Sequence, residues 1–225
     1  MSFLGLSYSE IYTNVDTNNR GNPMAKRRLS AATIAAQAGG YIDQASGGVV
    51  PPIQPSTTFV RDRDYAPHTS GNIYARDDSD TVQIAENILA QLDAAQAALL
   101  FPNGMAAIAA VFRALPTGAT VLVKAQIYWG TTKWVRDFCN RRGMVLVEGD
   151  LSKLDIIEKL CAHHEPNMVF IETPSNPWLR CTDIAHAAKT VHNVGGRLVV
   201  DATAATPILT RVLDFGADIV MHSAT

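Results

Sequence analysis

Short apolar runs recur along the second half of the chain, and polar, helix-compatible stretches separate most of them. The runs predict strands over residues 97–101, 120–125, 144–147, 168–172, 197–202 and 218–223. Helices are predicted over residues 104–114, 131–142, 151–164 and 183–194. Strands that alternate with helices imply right-handed crossovers, and therefore an α/β fold with a mainly parallel sheet covered on both faces.

The first 80 residues lack this alternation. Residues 1–28 begin with a polar, Asn-rich stretch and predict a flexible extension. After an Ala-rich helix that ends at Gly39-Gly40, the stretch GGVVPPIQPSTTF at 47–59 contains three prolines and predicts an irregular arm. We therefore expect residues 29–80 to form an N-terminal arm that contacts a neighbouring subunit. Residues 81–225 would form the main domain, which opens with a helix over 81–92.

Composition and charge remove several classes of function. The chain of 225 residues is 47% hydrophobic and 18% charged, which suits a buried core. Its net charge of -2 gives no electrostatic argument for nucleic acid or for an anionic membrane, and no apolar run approaches the roughly 18 residues of a membrane span. The scattered Cys139, Cys161 and Cys181 indicate reduced thiols and a cytoplasmic protein. We expect no metal site, since the side chains of adjacent His163 and His164 diverge on a helix.

In parallel sheets of this kind, ligands bind beyond the carboxyl ends of the strands. Gly104 and Met105 follow the first run and open a helix, whose free N–H groups would suit a phosphate, although such turns are also common without a ligand. Ser223 and Thr225 follow the last run and offer two hydroxyl groups for an anion. Neither a GxGxxG nor a GxxxxGK[ST] motif is present, so dinucleotides and nucleoside triphosphates lack their usual support.

Three more polar or aromatic side chains fall at the same edge. Tyr128 could stack on a flat ligand or merely cap the core, and Asn176 lies between the two prolines of ETPSNP. Asp201 ends a strongly apolar run, where a carboxylate needs a cation or hydrogen-bond donors, unless it caps the turn at Thr203. A planar, phosphorylated nitrogen heterocycle would satisfy all of these groups, and pyridoxal 5′-phosphate (PLP) is the obvious candidate.

Seven stretches, taken in order, make the pattern specific: VVPPIQPSTTF, IYAR, FPNGMAAI, IYWGT, ETPSNP, VVDATAATP and DIVMHSAT. Together they resemble the cystathionine γ-synthase-like (Cys/Met metabolism) family of PLP-dependent enzymes over about residues 33–225. The resemblance implies the aspartate-aminotransferase-like fold (fold type I) with a seven-stranded-type sheet and a C-terminal domain beyond the sequence given. It also implies an amino-acid substrate and a homodimer or homotetramer with active sites shared between subunits.

The resemblance implies a role for each residue of the candidate site. The backbone of Gly104 and Met105, with Ser223 and Thr225, would bind the phosphate. Tyr74 and Arg76 of IYAR would reach the phosphate of the neighbouring subunit, where an arginine can bind it through two hydrogen bonds.

Around the cofactor ring, the resemblance implies that Tyr128 stacks and moves protons and that Asp201 binds the pyridine nitrogen. Thr203 would press the opposite face of the ring, Asn176 would hydrogen-bond the ring's 3-oxygen, and Glu172 would orient the loop. The family's cofactor-binding lysine is expected directly after Thr225. None of the lysines in the chain, Lys124 at a strand end among them, falls in that motif.

The resemblance favours γ-replacement or γ-elimination on sulfur amino acids or O-acylhomoserines. Gly130 stands where methionine γ-lyases carry cysteine, which argues against that activity. The chain departs from the family's usual residues at two positions, with Trp129 in place of glycine and Ala202 in place of asparagine. These departures weaken any inference about the substrate. A cystathionine β-lyase-type C–S lyase, an aminotransferase of the same fold and a non-catalytic, truncated anion-binding module stay as alternatives.

Overall fold

The computed structural model of the chain describes residues 2–6, 29–67 and 71–224, and for residues 2–6 it describes the backbone alone. The described residues form two compact units. One consists of residues 2–6 and 93–224, and the other of residues 29–67 and 71–92. Of the predicted extension over residues 1–28, the structure describes only residues 2–6, which form a strand of the sheet and are therefore not a flexible extension.

The first unit is built on a seven-stranded sheet. Its strands are β1 (Ser2–Leu6), β2 (Ala97–Phe101), β3 (Thr120–Lys124), β4 (Val145–Gly149), β5 (Met168–Glu172), β6 (Arg197–Asp201) and β7 (Ile219–Ser223). They lie in the order β2-β1-β7-β6-β5-β3-β4. Strand β1 is antiparallel to both of its neighbours, and the pairs from β7 to β4 are parallel. The predicted mainly parallel sheet is therefore confirmed.

Helices connect the strands much as the hydrophobic pattern predicts. They are α1 (Ala31–Ala36), α2 (Asp80–Asp93), α3 (Gly104–Arg113), α4 (Trp129–Arg142), α5 (Leu154–His164), α6 (Ile184–Asn193) and the short α7 (Thr206–Leu209). Helix α5 begins three residues later than predicted, because residues 150–153 form a turn in which the Lys153 N–H donates to the Asp150 carbonyl at 3.1 Å. Strand β1 and helix α7 were not predicted.

The core of this unit lies on both faces of the sheet. Alternate residues of a strand point to opposite faces, so Val121 and Val123 of β3 pack with α3 and α4, whereas Leu122 packs with α5 and α6. All three side chains are almost completely buried. Helices therefore cover the sheet from both sides and leave the carboxyl ends of its strands as the natural place for a ligand.

The second unit holds the proline-rich arm. Residues 48–57 contain neither helix nor strand, as predicted. The N–H of Gln54 donates to Oγ1 of Thr81 in the first turn of α2 at 2.9 Å, so the arm is tied to that helix. Its contact with a neighbouring subunit stays a prediction.

Phe112 is the central aromatic residue of the α3–α4 face. It is fully buried, and its ring centroid lies 5.9 Å from that of Trp134 and 5.7 Å from that of Phe170. We expect Phe112→Ala to lower the free energy of unfolding by about 3–5 kcal/mol, through lost burial and the cavity left behind. The matched control is Phe215→Ala, because that side chain is half exposed and should cost less than about 1 kcal/mol. Urea denaturation of both variants tests this, and equal midpoints would contradict the assigned core.

Candidate active site

A cavity of about 500 Å³ opens at the carboxyl edge of the sheet, within the first unit. Its polar floor follows from the pairing of three strands. Glu172, which ends β5, pairs with Asp201, which ends β6, and Asp201 pairs with Met221 of β7. Because parallel strands in this pairing end side by side, the two carboxylates and the thioether meet at the same edge of the sheet.

One wall of the cavity is the start of helix α3. Asn103 has an extended backbone and caps the helix, since its side-chain oxygen accepts from the Ala106 N–H at 2.8 Å. Gly104 and Met105 follow it and line the cavity. The N–H groups of a first helical turn have no carbonyl partner within the helix, and the helix dipole adds partial positive charge there. This end of the cavity is therefore suited to an anion.

Asp201 is part of a chain of hydrogen bonds that joins the ends of β6 and β7. Its Oδ1 accepts from the N–H of Thr203 at 3.0 Å and from the Thr203 hydroxyl at 2.6 Å. The same hydroxyl oxygen accepts from the N–H of Ser223 at 2.9 Å. Among the described residues, no hydrogen bond reaches Oδ2 of Asp201. The carboxylate is thus oriented through one oxygen and can offer the other to a ligand.

Burial makes the ionised form of Asp201 less favourable. Desolvation raises the pKa of its carboxyl group above the ordinary aspartate value, and the hydrogen bonds from Thr203 oppose that rise only in part. An ionised carboxylate at this position is therefore unfavourable until a cation or a donor faces it. A protonated ring nitrogen would be such a partner.

Glu172 connects two of the predicted site residues. One carboxylate oxygen accepts from the N–H of Tyr128 at 2.7 Å, and the other accepts from the N–H of Asn176. Burial raises the pKa of Glu172, the two backbone N–H groups lower it, and the neighbouring charge of Asp201 raises it again. Because both of its oxygens hold backbone groups, Glu172 is built to orient the loops that carry Tyr128 and Asn176.

Tyr128 stands immediately before α4, and its ring rests against Gly130. A Cβ atom at residue 130 would lie 2.5 Å from Cε1 of Tyr128, so any side chain there would force the ring to move. The ring centroid of the exposed Trp129 is 5.6 Å from that of Tyr128. Gly130 therefore allows the present orientation of Tyr128, and Trp129 adds an aromatic surface beside it.

The cavity brings together seven of the predicted site residues: Gly104, Met105, Tyr128, Asn176, Asp201, Thr203 and Ser223. Thr225 lies outside the described residues, so its role stays a prediction. Tyr74 and Arg76 belong to the second unit, where the Arg76 guanidinium lies 4.9 Å from the centroid of the Tyr74 ring. Their predicted reach to a neighbouring subunit is likewise untested.

Sequence reasoning missed the apolar lining of the cavity, which includes Ile108, Leu179 and Met221. Ile108 and Met221 could not be told from ordinary core positions, since each lies in an apolar helix or strand. Leu179 is 70% exposed and has a left-handed backbone with φ of 55°, and only its place after ETPSNP could have indicated it.

The described part of the chain contains no cluster of three or more side chains that could hold a metal ion. Nor does it contain a helix that is both long enough and apolar enough to cross a membrane.

The residues present fit PLP. The start of α3 suits a phosphate, Asp201 presents a buried carboxylate that needs a cationic partner, and the ring of Tyr128 borders the same cavity. The volume of about 500 Å³ lies within the range typical of small-molecule sites.

Comparison with known proteins agrees with this chemistry. The family model described as "Cys/Met metabolism PLP-dependent enzyme" matches residues 32–225. The chain belongs to this family. Its α/β architecture is that of the fold type I PLP enzymes, and PLP is the cofactor that the family uses.

Two of the relatives that the chain matches have cystathionine in their names. The chain is 36% identical over 195 residues to a cystathionine gamma-synthase/O-acetylhomoserine (thiol)-lyase of Bacillus subtilis, covering 86% of this chain and 51% of that protein. It is 38% identical over 197 residues to a cystathionine gamma-lyase of Sus scrofa, covering 86% of this chain and 48% of that protein.

A solved structure gives the same picture. The cystathionine gamma synthase of Xanthomonas oryzae pv. oryzae in complex with cystathionine superposes with a TM-score of 0.80 at 34% identity. The match covers 85% of this chain and 49% of that one. The chain thus spans about half the length of the proteins it matches.

The raised pKa of Asp201 gives a prediction about stability. A carboxyl group whose pKa is raised on folding stabilises the protein below the ordinary aspartate range, and that stability is lost as the pH rises through the folded pKa. Asp201→Asn cannot ionise and keeps an oxygen for the Thr203 bonds. At pH 8 and without cofactor we expect it to raise Tm by about 3 °C, the shift that roughly 1 kcal/mol gives in a chain of this length.

The same gain should shrink toward zero as the pH falls below about 4, the ordinary pKa of aspartate, because the raised pKa of folded Asp201 means that it is already protonated there. Asp137→Asn is the control, because that carboxylate is 61% exposed. Calorimetric scans of the three proteins at both pH values test this. A Tm for Asp201→Asn below that of the parent at pH 8 would contradict the desolvated state of Asp201.

Proposed function

We propose that this chain forms the PLP-binding part of a transsulfuration-type enzyme. Its substrates would be sulfur amino acids or O-acylhomoserines, and its reaction γ-replacement or γ-elimination. The observation that carries the proposal is the polarity of one cavity, which has the start of α3 at one wall and the buried Asp201 at its floor. A ligand that carries both an anionic group and a cationic ring nitrogen would complement the start of α3 and Asp201, respectively.

Asp201 would act on the ring nitrogen. Its Oδ1 is occupied by Thr203, so Oδ2 would accept the N–H of the pyridinium and hold the proton there. When bound, PLP supplies an electron-withdrawing ring that stabilises negative charge at Cα of the amino acid. Asp201 sustains that property because a protonated ring withdraws electrons better than a neutral one.

Tyr128 and Asn176 would orient the ring and help to move protons. Glu172 binds the N–H of each residue, so the two loops are set relative to one another by a single carboxylate. The Tyr128 ring would stack on the cofactor, and its hydroxyl would transfer a proton once within hydrogen-bond reach. The phosphate would be bound by the backbone N–H groups of Gly104 and Met105 at the start of α3, together with Ser223.

Several matched relatives carry gamma in their names, which supports the γ-position as the site of cleavage or replacement, and one is named a cystathionine beta-lyase. We further propose a cytoplasmic homodimer or dimer of dimers. The two cysteines of the core, Cys139 and Cys161, are free thiols in the structure, which is compatible with a reducing compartment.

Binding of pyridoxamine 5′-phosphate tests the cofactor site directly. This probe has no aldehyde, so its binding needs no lysine. Calorimetric titration should give saturable binding to the chain, and Asp201→Ala should weaken it by about tenfold or more through loss of a charge-assisted hydrogen bond. An affinity that does not change in Asp201→Ala would contradict the assignment.

Product analysis of a protein that includes the lysine expected after Thr225, purified with PLP, tests the reaction. With water consumed and ammonia released in each case, cleavage of cystathionine at the γ-carbon gives cysteine and 2-oxobutyrate, whereas β-cleavage gives homocysteine and pyruvate. γ-Replacement would convert an O-acylhomoserine and cysteine into cystathionine and release the acyl group as a carboxylic acid. We expect a γ-product. Pyruvate would instead indicate a β-lyase, and binding of the probe without turnover would favour a non-catalytic module.

Subunit complementation tests the shared site. Arg76→Ala should weaken cofactor retention and Tyr128→Phe should slow proton transfer, so each variant alone should be impaired. If Arg76 serves the neighbouring subunit, co-refolding the two variants restores about a quarter of the sites in a symmetric dimer. Activity no greater than the mean of the two single variants would contradict sharing.

A further inference from the structure

Lys124, the last residue of β3, is a fully buried lysine. Its ammonium group donates to the Glu172 carbonyl at 3.0 Å, the Arg180 carbonyl at 2.9 Å and the Thr182 hydroxyl at 3.2 Å. An ammonium has three N–H donors, and each has an acceptor here. Burial lowers the pKa of Lys124, while the nearby charge of Glu172 acts in the opposite direction.

The three acceptors stand at the two ends of one loop. Residues 173–181, here called the Asn176 loop, leave the sheet after Glu172 and return at Thr182, just before α6. Asn176 and Leu179 of this loop line the cavity. Lys124 therefore links the start of the loop to its end through hydrogen bonds.

The loop's own hydrogen bonds meet at the same point. The N–H of Ser175 donates to the Arg180 carbonyl at 3.1 Å, and the N–H of Arg180 donates to the Ser175 hydroxyl at 3.2 Å. The N–H of Thr182 donates to the Thr173 hydroxyl at 3.0 Å. The Arg180 carbonyl thus accepts from both the loop and Lys124, which places the ammonium at the centre of a buried polar cluster.

A lysine is a costly residue for this position. Burying an ammonium loses several kcal/mol of hydration, and an apolar side chain of similar size often packs with equal or greater stability. The ammonium gives what an apolar residue could not, namely three directed bonds and a positive charge near Glu172. Since Glu172 holds the N–H groups of Tyr128 and Asn176, fixing its backbone fixes both.

We infer that Lys124 is a positioning residue of the cofactor cavity, which clamps both ends of the Asn176 loop so that Glu172 can hold Tyr128 and Asn176 in place. This inference rests on the proposed function for the meaning of the site. It makes Lys124 neither a ligand of the cofactor nor a group that reacts.

Limited trypsin digestion measures the clamp without any cofactor, because Arg180 is itself a cleavage site within the loop. Lys124→Met removes the donors while keeping an unbranched apolar side chain. We expect cleavage after Arg180 to be faster by about tenfold or more, the effect of losing hydrogen bonds from a charged group. Lys133→Met, which replaces an exposed lysine of α4, should digest like the parent at this bond.

Titration with pyridoxamine 5′-phosphate then links the clamp to the site. Lys124→Met should bind the probe about tenfold more weakly, and Lys133→Met should bind it like the parent. Faster cleavage with unchanged affinity would overturn the link to the cofactor cavity. Equal acceleration at every accessible bond would also overturn the proposal, since it would mean a general loss of stability. If the parent chain binds no probe, the proposed function fails, and the cleavage rate after Arg180 alone decides whether Lys124 clamps the loop.

Thr182→Val keeps the test valid should Lys124→Met not fold. It removes one acceptor of the ammonium and leaves the Thr182 backbone bond intact. Cleavage after Arg180 faster than in the parent supports the proposal, and an unchanged rate overturns it.

Discussion

The pairing of β5, β6 and β7 is the constraint on which the site depends. It sets Glu172 beside Asp201 and Asp201 beside Met221 at the carboxyl edge of the sheet. A shift by one residue would turn each of these side chains to the opposite face, because side chains alternate along a strand. The apolar residues between them hold that pairing, since Phe170 and Val199 must face α3 and α4 while Ile171 and Val200 face α5 and α6. The core therefore fixes the position of the chemistry.

Two buried carboxylates at one edge are unfavourable by themselves, and the surrounding residues show how each is accommodated. Glu172 has both oxygens on backbone N–H groups and a buried lysine nearby, so it serves structure. Asp201 has one oxygen on Thr203 and the other without a partner among the described residues, so it has capacity for a ligand. The two acids therefore differ in their environments and not in their chemical type: both oxygens of Glu172 are occupied, and one oxygen of Asp201 is left for the proposed ligand.

The cavity is polar at defined points and apolar between them. The start of α3 and Asp201 provide opposite electrostatic ends, and Ile108 and Met221 provide an apolar lining. Such an arrangement orients a ligand by its charges while the apolar lining keeps the surroundings poorly hydrated, which strengthens each polar contact. Such an arrangement also lowers the folding stability of the unliganded chain, as is common where stability and function compete.

The sequence by itself determined the alternation of strands and helices, the parallel sheet and most of the residues that meet at its edge. These depend on local periodicity and on the rule that parallel strands end together, so Gly104, Tyr128, Asp201 and Ser223 could be found without a structure. Only the tertiary structure revealed the place of β1, because its partners β2 and β7 lie about 100 and 220 residues away in the chain. It alone decided the role of Lys124, which by sequence was one more lysine at a strand end. Its three acceptors come from residues 48 to 58 positions later, and no local pattern can encode a bond across that distance.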